Sequence, residues 1–231
     1  PLNKLEKFDY LNSLIRKHNN LIYKKTQSGR LIEFYKDKFL YIKDYKENTT
    51  EVIKKLKELS NVGVNNYSNS VKAWIEKTDH KIDCDDKEKF LIKMFEHSKV
   101  AMIYGAAGTG KSTMINHISN FFKDYKKIYL AQTNPAKDNL DRKVDAPNCE
   151  FMTVTKFLSR GNRNTDFTIL FMDESSTVSN SDMLSVLNKG NFSLLVLVGD
   201  IFQIEAIRFG NWFETAKEII TKNTIFELTK P

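Results

Sequence analysis

The chain has 231 residues, 41% hydrophobic and 28% charged, with a formal net charge of +7. No apolar run reaches the roughly 18–20 residues that span a bilayer, and the opening stretch PLNKLEKFDY lacks the pattern of a signal peptide, so neither a membrane anchor nor secretion is expected. The two cysteines, Cys84 and Cys149, form no CxxC, which argues against a cysteine metal framework and fits reduced thiols in a cytoplasmic protein.

In chain order, Leu2, Leu5, Phe8, Leu11, Leu14, Ile15, Leu21 and Ile22 recur at helical spacing. In NTTEVIKKLKEL, Asn48 or Thr50 offers a cap, and Val52, Ile53, Leu56 and Leu59 form one face. NVGVNNYSNS reads as a loop and VKAWIEK as a short helix. Residues 1–80 are therefore expected to form a smaller, all-helical N-terminal domain. They carry 16 Lys/Arg against 10 Asp/Glu, a net of +6. That excess fits a polyanionic partner and equally fits solvated lysine-rich helices.

From about residue 81 the period changes. A helix in DDKEKFLIKMFEHS leads into six short apolar runs: KVAMIYG, KIYLAQ, CEFMTV, FTILFMDE, SLLVLVGD and TIFELT. Helical segments separate most of them. Runs that are apolar on both faces indicate a parallel sheet covered on both sides, so residues 81–231 are expected to be an α/β domain.

The first turn of that domain is GAAGTGKST, Gly105 to Thr113. It fits G-x-x-x-x-G-K-[ST] and lies between a strand and an amphipathic helix carrying Met114, Ile115, Ile118, Phe121 and Phe122. The loop Gly105, Ala106, Ala107, Gly108, Thr109 and Gly110 lets backbone N–H groups converge on phosphate oxygens. The helix N-terminus adds its dipole at Lys111, Ser112 and Thr113. Lys111 supplies a charge for the β- and γ-phosphates, and the Ser112 hydroxyl suits Mg²⁺.

In TILFMDES, an apolar strand delivers Asp173, which can hold the Mg²⁺ shell, and then Glu174, which can act as general base toward the γ-phosphate. The other reading of this acidic pair is a helix cap. No element for reading guanine is visible, so the nucleotide is expected to be ATP.

With these motifs in place, residues 85–231 resemble superfamily 1 DNA helicases of the RecD-like kind, a branch of the P-loop ATPases. The resemblance rests on GAAGTGKST, on LAQTNPAKDNL from Leu130, on FMTVTKFL from Phe151, on FMDESS, on LVGDIFQIEAI with its G-D-x-x-Q, and on FELTKP. It implies a RecA-like ATPase domain with a parallel sheet. It places Asp200 in the metal-side network and Gln203 at the γ-phosphate or the attacking water. Gln suits that task because it donates and accepts together. The resemblance also implies that Thr133, Asn134, Lys137, Thr153 and Lys156 line the path of single-stranded DNA, with RNA not distinguished. The plain alternative for these Thr and Asn residues is turn chemistry at strand ends.

By the same resemblance the activity is ATP-driven translocation or unwinding in the 5′→3′ direction. A second RecA-like domain, absent from these 231 residues, would supply the arginines at the γ-phosphate, so the isolated chain is expected to hydrolyse ATP weakly. Three departures stand out. Lys87, Glu88 and Lys89 occupy the helix where the family carries an adenine-reading Gln. TVTK replaces T-x-H, and no proline follows Gln203. Two other functions fit part of the pattern: a nucleotide-dependent switch without unwinding, and a small-molecule kinase using Arg142, Arg160 and Arg163.

Overall fold

The computed structural model describes residues 4–35, 39–161, 166–200 and 211–229. Gln203 and Arg163 fall outside them. The chain forms two compact units, Pro1–Glu51 and Val52–Pro231.

The first unit contains helix α1 (Lys4–Asn20), a 3₁₀ turn at Lys25–Arg30, and an antiparallel pair of strands, β1 (Ile32–Tyr35) and β2 (Phe39–Ile42). Asn19 ties α1 to the pair: its side chain donates to the Ile32 carbonyl and accepts from the Ile32 amide, at 2.9 and 3.0 Å. The strands correct the expectation of an all-helical front. IEFY and FLYI are rich in aromatic and β-branched residues, whose side chains fit a pleated surface. The helical period on either side concealed them. The division also falls at Glu51/Val52 rather than near residue 80.

Helix α2 (Lys43–Ser60) contributes Val52 and Leu56 to the core of the second unit. Helices α3 (Tyr67–Ile75) and α4 (Asp85–Lys93) follow. The remainder alternates strand and helix. The order is β3 (Val100–Gly105), α5 (Lys111–Phe121), β4 (Lys127–Ala131), α6 (Asn134–Lys143), β5 (Cys149–Thr153), α7 (Val154–Ser159), β6 (Asp166–Met172), α8 (Asn180–Lys189), β7 (Asn191–Gly199), α9 (Trp212–Ile219) and β8 (Ile225–Leu228). All six apolar runs are strands. They form one parallel sheet in the order β5-β4-β6-β7-β3-β8.

Alternation along the strands builds two cores. Val100, Met102 and Tyr104 face α2, α7, α8 and α9, whereas Ala101 and Ile103 face α3, α4, α5 and α6. This is why both parities of β3 are apolar. Across three strands Tyr129 stacks between Phe151 and Phe171, each 4.5 Å away by ring centroid. Lys127 is fully buried, and its ammonium donates to the carbonyls of Phe122 and Tyr125 at 2.8 Å. It satisfies the C-terminal end of α5, where a cation is favoured. No described helix is long and apolar enough to cross a membrane.

The topology locates a binding edge. From β3 the chain crosses over one face through α5, past β7 and β6, to β4. From β7 it crosses the other face through α9 to β8, on the far side of β3. Crossovers leaving neighbouring strands on opposite faces open a crevice at the carboxyl ends of β3 and β7.

Candidate active site

The turn from β3 to α5 occupies that crevice. Gly108 and Gly110 have φ of +83° and +92°, the left-handed region where a Cβ is strained. At Gly105, a Cβ would come within 2.4 Å of the Leu228 carbonyl of β8. Thr109 folds its hydroxyl onto the Ala106 carbonyl at 2.9 Å. Gly110 caps α5 without a side-chain hydrogen bond, so no side chain occupies the first-turn amides. The Lys111 ammonium lies within the curl, donating to the carbonyls of Gly105 and Ala106 at 2.6 and 2.8 Å.

An open cleft of ≈ 530 Å³ adjoins this loop. Ala107, Gly108, Gly110, Lys111, Ser112 and Thr113 line one side, and Asp173, Glu174, Gly199 and Asp200 line the other. The structure therefore brings together the loop, the acidic pair and the aspartate of G-D-x-x-Q. Burial pushes the Asp173 carboxyl above its ordinary pKa, against the Glu174 amide, Lys111 and Lys143. Burial and the neighbouring Asp173 raise Glu174, opposed by Lys111. A carboxylate with a raised pKa is the stronger base. Burial lowers Lys111, opposed by Asp200, Asp173 and Glu174.

The acidic pair is not spent on capping. Ser179, not an acid, caps α8, its Oγ accepting from the Asp182 amide at 3.1 Å. The Glu174 side chain makes no cap hydrogen bond to the short 3₁₀ helix that follows it. Its backbone sits at φ +51°, a strained region for a residue with a Cβ. Hydrogen bonds from Thr177 N and Oγ1 to the Glu174 carbonyl, both 2.8 Å, hold that turn.

The donor set suits a hard cation shared with phosphates. Ser112 and Asp173 open on the same cleft, and no group of three or more His, Cys, Asp or Glu among the described residues could hold a metal by itself.

Thr153 ends β5 and Thr133 lies two residues past the end of β4, where Ala131 and Thr153 are register partners. Both are N-caps: Thr133 Oγ1 accepts from the Ala136 amide at 3.3 Å and Thr153 Oγ1 from the Lys156 amide at 3.2 Å. The turn-chemistry reading is thus satisfied, and among the described residues neither hydroxyl donates a hydrogen bond. Asn134 is exposed at the start of α6, Lys156 is exposed on α7, and Lys137 pairs with the adjacent Asp138.

Three residues that line the cleft carried no signal in the sequence: Asn116, Asn139 and Lys143. Lys87 is buried beneath the loop, 3.0 Å from where a Gly110 Cβ would sit, and is ion-paired with Asp83. Asp83 also accepts from His117 Nε2, and His117 Nδ1 meets His80 Nε2, both at 2.8 Å. Lys87 therefore braces the loop and is not presented to a base.

Sheet order, strand-loop-helix geometry and acidic strand ends define a RecA-like P-loop domain. A family described as AAA domain matches residues 86–230, and the chain belongs to it. A search of curated protein sequences gives no match. Solved structures with a similar fold include the UvsW helicase from bacteriophage T4, at 12% identity over 74% of this chain and 70% of that one, TM-score 0.50. Bacteroides Pif1 bound to ssDNA matches at 18% identity over 65% and 42%, TM-score 0.43. The PRRSV helicase matches at 15% over 56% and 30%, TM-score 0.40. This chain spans less than half the length of the latter two.

Proposed function

We propose that this chain is the ATP-binding motor domain of a RecD-like superfamily 1 helicase or translocase, coupling ATP hydrolysis to 5′→3′ movement on single-stranded DNA. The observation that carries the reading is the single cleft in which Lys111 and Ser112 face Asp173, Glu174 and Asp200. In it the amides from Gly105 to Thr113 would cradle the phosphates, and Lys111 would turn from the loop carbonyls to the β- and γ-phosphates. Ser112 and Asp173 would hold Mg²⁺, which neutralises phosphate charge when bound. Glu174 would take a proton from the attacking water, its raised pKa suiting a base. Gln203, outside the described residues, is proposed as the γ-phosphate sensor that follows Asp200.

Thr133, Asn134, Lys137, Thr153 and Lys156 are proposed to bind the strand, each Thr hydroxyl donating to a phosphate oxygen while it caps its helix. A second RecA-like domain is the proposed source of an arginine. The described residues lining the cleft include lysines but no arginine, and such an arginine is worth about 10³–10⁵ in rate.

The test is Mg²⁺-dependent ATP hydrolysis by the intact protein, with and without a single-stranded oligonucleotide. The expected result is turnover that the strand stimulates and that Lys111→Ala abolishes. Nucleotide affinity surviving Lys111→Ala within a few-fold would refute the phosphate site. Turnover indifferent to DNA and RNA would favour the switch.

A further inference from the structure

Helix α6 joins two regions the proposed function keeps apart. It starts at the Thr133 cap, among the candidate strand contacts, and its ten residues span about 15 Å. Its far end reaches the phosphate cleft, where Asn139 and Lys143, one turn apart, both line the cavity.

That end is fixed. Leu140 and Val144 are buried in the core. Immediately beyond, Asp145 is clamped to α5: its amide donates to Asn116 Oδ1 at 2.8 Å, and its carbonyl accepts from Asn120 Nδ2 at 3.0 Å. The two basic residues of the last turn diverge. Arg142 turns back, its Nε donating to the Asp138 carbonyl at 3.2 Å. Lys143 lines the cleft and forms no ion pair among the described residues.

The charge balance gives this lysine a purpose. Three carboxylates, Asp173, Glu174 and Asp200, line a cavity whose other described cation is Lys111. A γ-phosphate entering it adds negative charge on the side where the acids stand. Lys143 already acts on Asp173 across the cavity.

We infer that Lys143 is a further catalytic residue of this site, an in-cis cation that contacts the γ-phosphate and separates nucleoside triphosphate from diphosphate. The inference rests on the ATP reading. It adds a residue from the helix that begins at the candidate strand path, so the two proposed sites share one rigid element.

The experiment measures equilibrium binding of the β,γ-imido analogue of ATP and of ADP, with Mg²⁺, to wild type, Lys143→Met and Lys143→Arg. Lys143→Met should weaken the imido analogue about tenfold, the size of one charge-assisted hydrogen bond, and leave ADP within about twofold. Lys143→Arg should keep most of the difference between the two nucleotides. Equal weakening of both would overturn the inference, because Lys143 would then serve only the general field of the site. No change in either would also overturn it, marking Lys143 as a solvated helix end. In both cases wild type still binds nucleotide and the ATP reading stands. Wild type binding neither nucleotide would remove both.

Discussion

Gly199 opens the G-D-x-x-Q element, and packing constrains it. It ends β7 opposite Tyr104 of β3. A Cβ there would lie 2.8 Å from Cε1 and Cζ of Phe213 and 3.3 Å from the Ser176 amide. Optimal carbon contacts are about 3.5–4.0 Å, so Gly199→Ala must displace something by close to an ångström. Phe213 cannot easily yield: it is 2% exposed and set edge-on to the fully buried Trp212. Trp212 is itself fixed by a 2.8 Å hydrogen bond from its indole N–H to the Val178 carbonyl. Overpacking of this kind costs about 1–3 kcal/mol. A middle value of about 2 kcal/mol lowers the melting temperature of a domain this size by roughly 4–8 °C. Thermal and urea unfolding of Gly199→Ala, Phe213→Leu and the double variant would measure it. Phe213→Leu, which empties the contacted edge, should offset much of the Gly199→Ala loss, a favourable coupling of about 1 kcal/mol or more. Strictly additive losses, or a Gly199→Ala protein as stable as wild type, would refute the packing argument.

Two further outcomes follow from the site. Asp173 has a folded pKa raised mainly by burial. Its ionisation therefore opposes folding: the associated stability is present below the ordinary carboxylate range, about pH 4, and lost as pH rises through the raised value. Asp173→Asn should melt higher than wild type at neutral pH, with the gain fading toward about pH 4, while Mg²⁺-dependent turnover disappears; equal melting temperatures at neutral pH would contradict this. Thr133 has two separable tasks. Thr133→Ala should cost about 1 kcal/mol in unfolding experiments through loss of the α6 cap. Thr133→Asp should keep the cap yet repel a nucleic-acid phosphate, so oligonucleotide affinity should fall without loss of stability; unchanged affinity would remove Thr133 from the strand path.

What the sequence revealed follows from what each pattern depends on. The six strands were legible because burial on both faces imposes uninterrupted apolar runs, and VAMIYG is buried at every position. The turn between β3 and α5 was legible because its glycines answer to local backbone geometry, and Gly108 and Gly110 have positive φ. The strand pair β1 and β2 was not. Among the described residues its eight strand residues pair only with each other, and the flanking helices dominate the period. Lys143 and Asn139 were invisible for a different reason. Whether the end of α6 meets the cleft depends on how far α6 runs and on the Asn116 and Asn120 clamp, a tertiary fact with no one-dimensional trace. Lys87 stands out in the sequence only as a departure from the family pattern, and its role needed the fold. It stands in the helix where the family carries an adenine-reading Gln, and the fold buries it with Asp83 and His117.

The register sets how closely the two proposed sites are joined. Leu130 pairs with Met172 and Ala131 with Thr153, so Asp173 and Thr153 end strands on either side of β4. Two strand spacings amount to about 10 Å. A nucleic-acid strand at Thr133 and Thr153 and a phosphate at Asp173 would therefore occupy one edge of one sheet, separated by the end of β4 and the body of α6. Coupling over such a distance needs no extended relay. It needs an element whose position both ligands bias. Helix α6 meets that requirement on geometry, since a shift at its Thr133 end must be passed to Asn139 and Lys143 or absorbed by breaking the Asp145 clamp. The Asn120 hydrogen bond to the Asp145 carbonyl, whose donor lies outside the cleft lining, is then the place where strand binding and phosphate contact would be uncoupled with both sites left chemically intact.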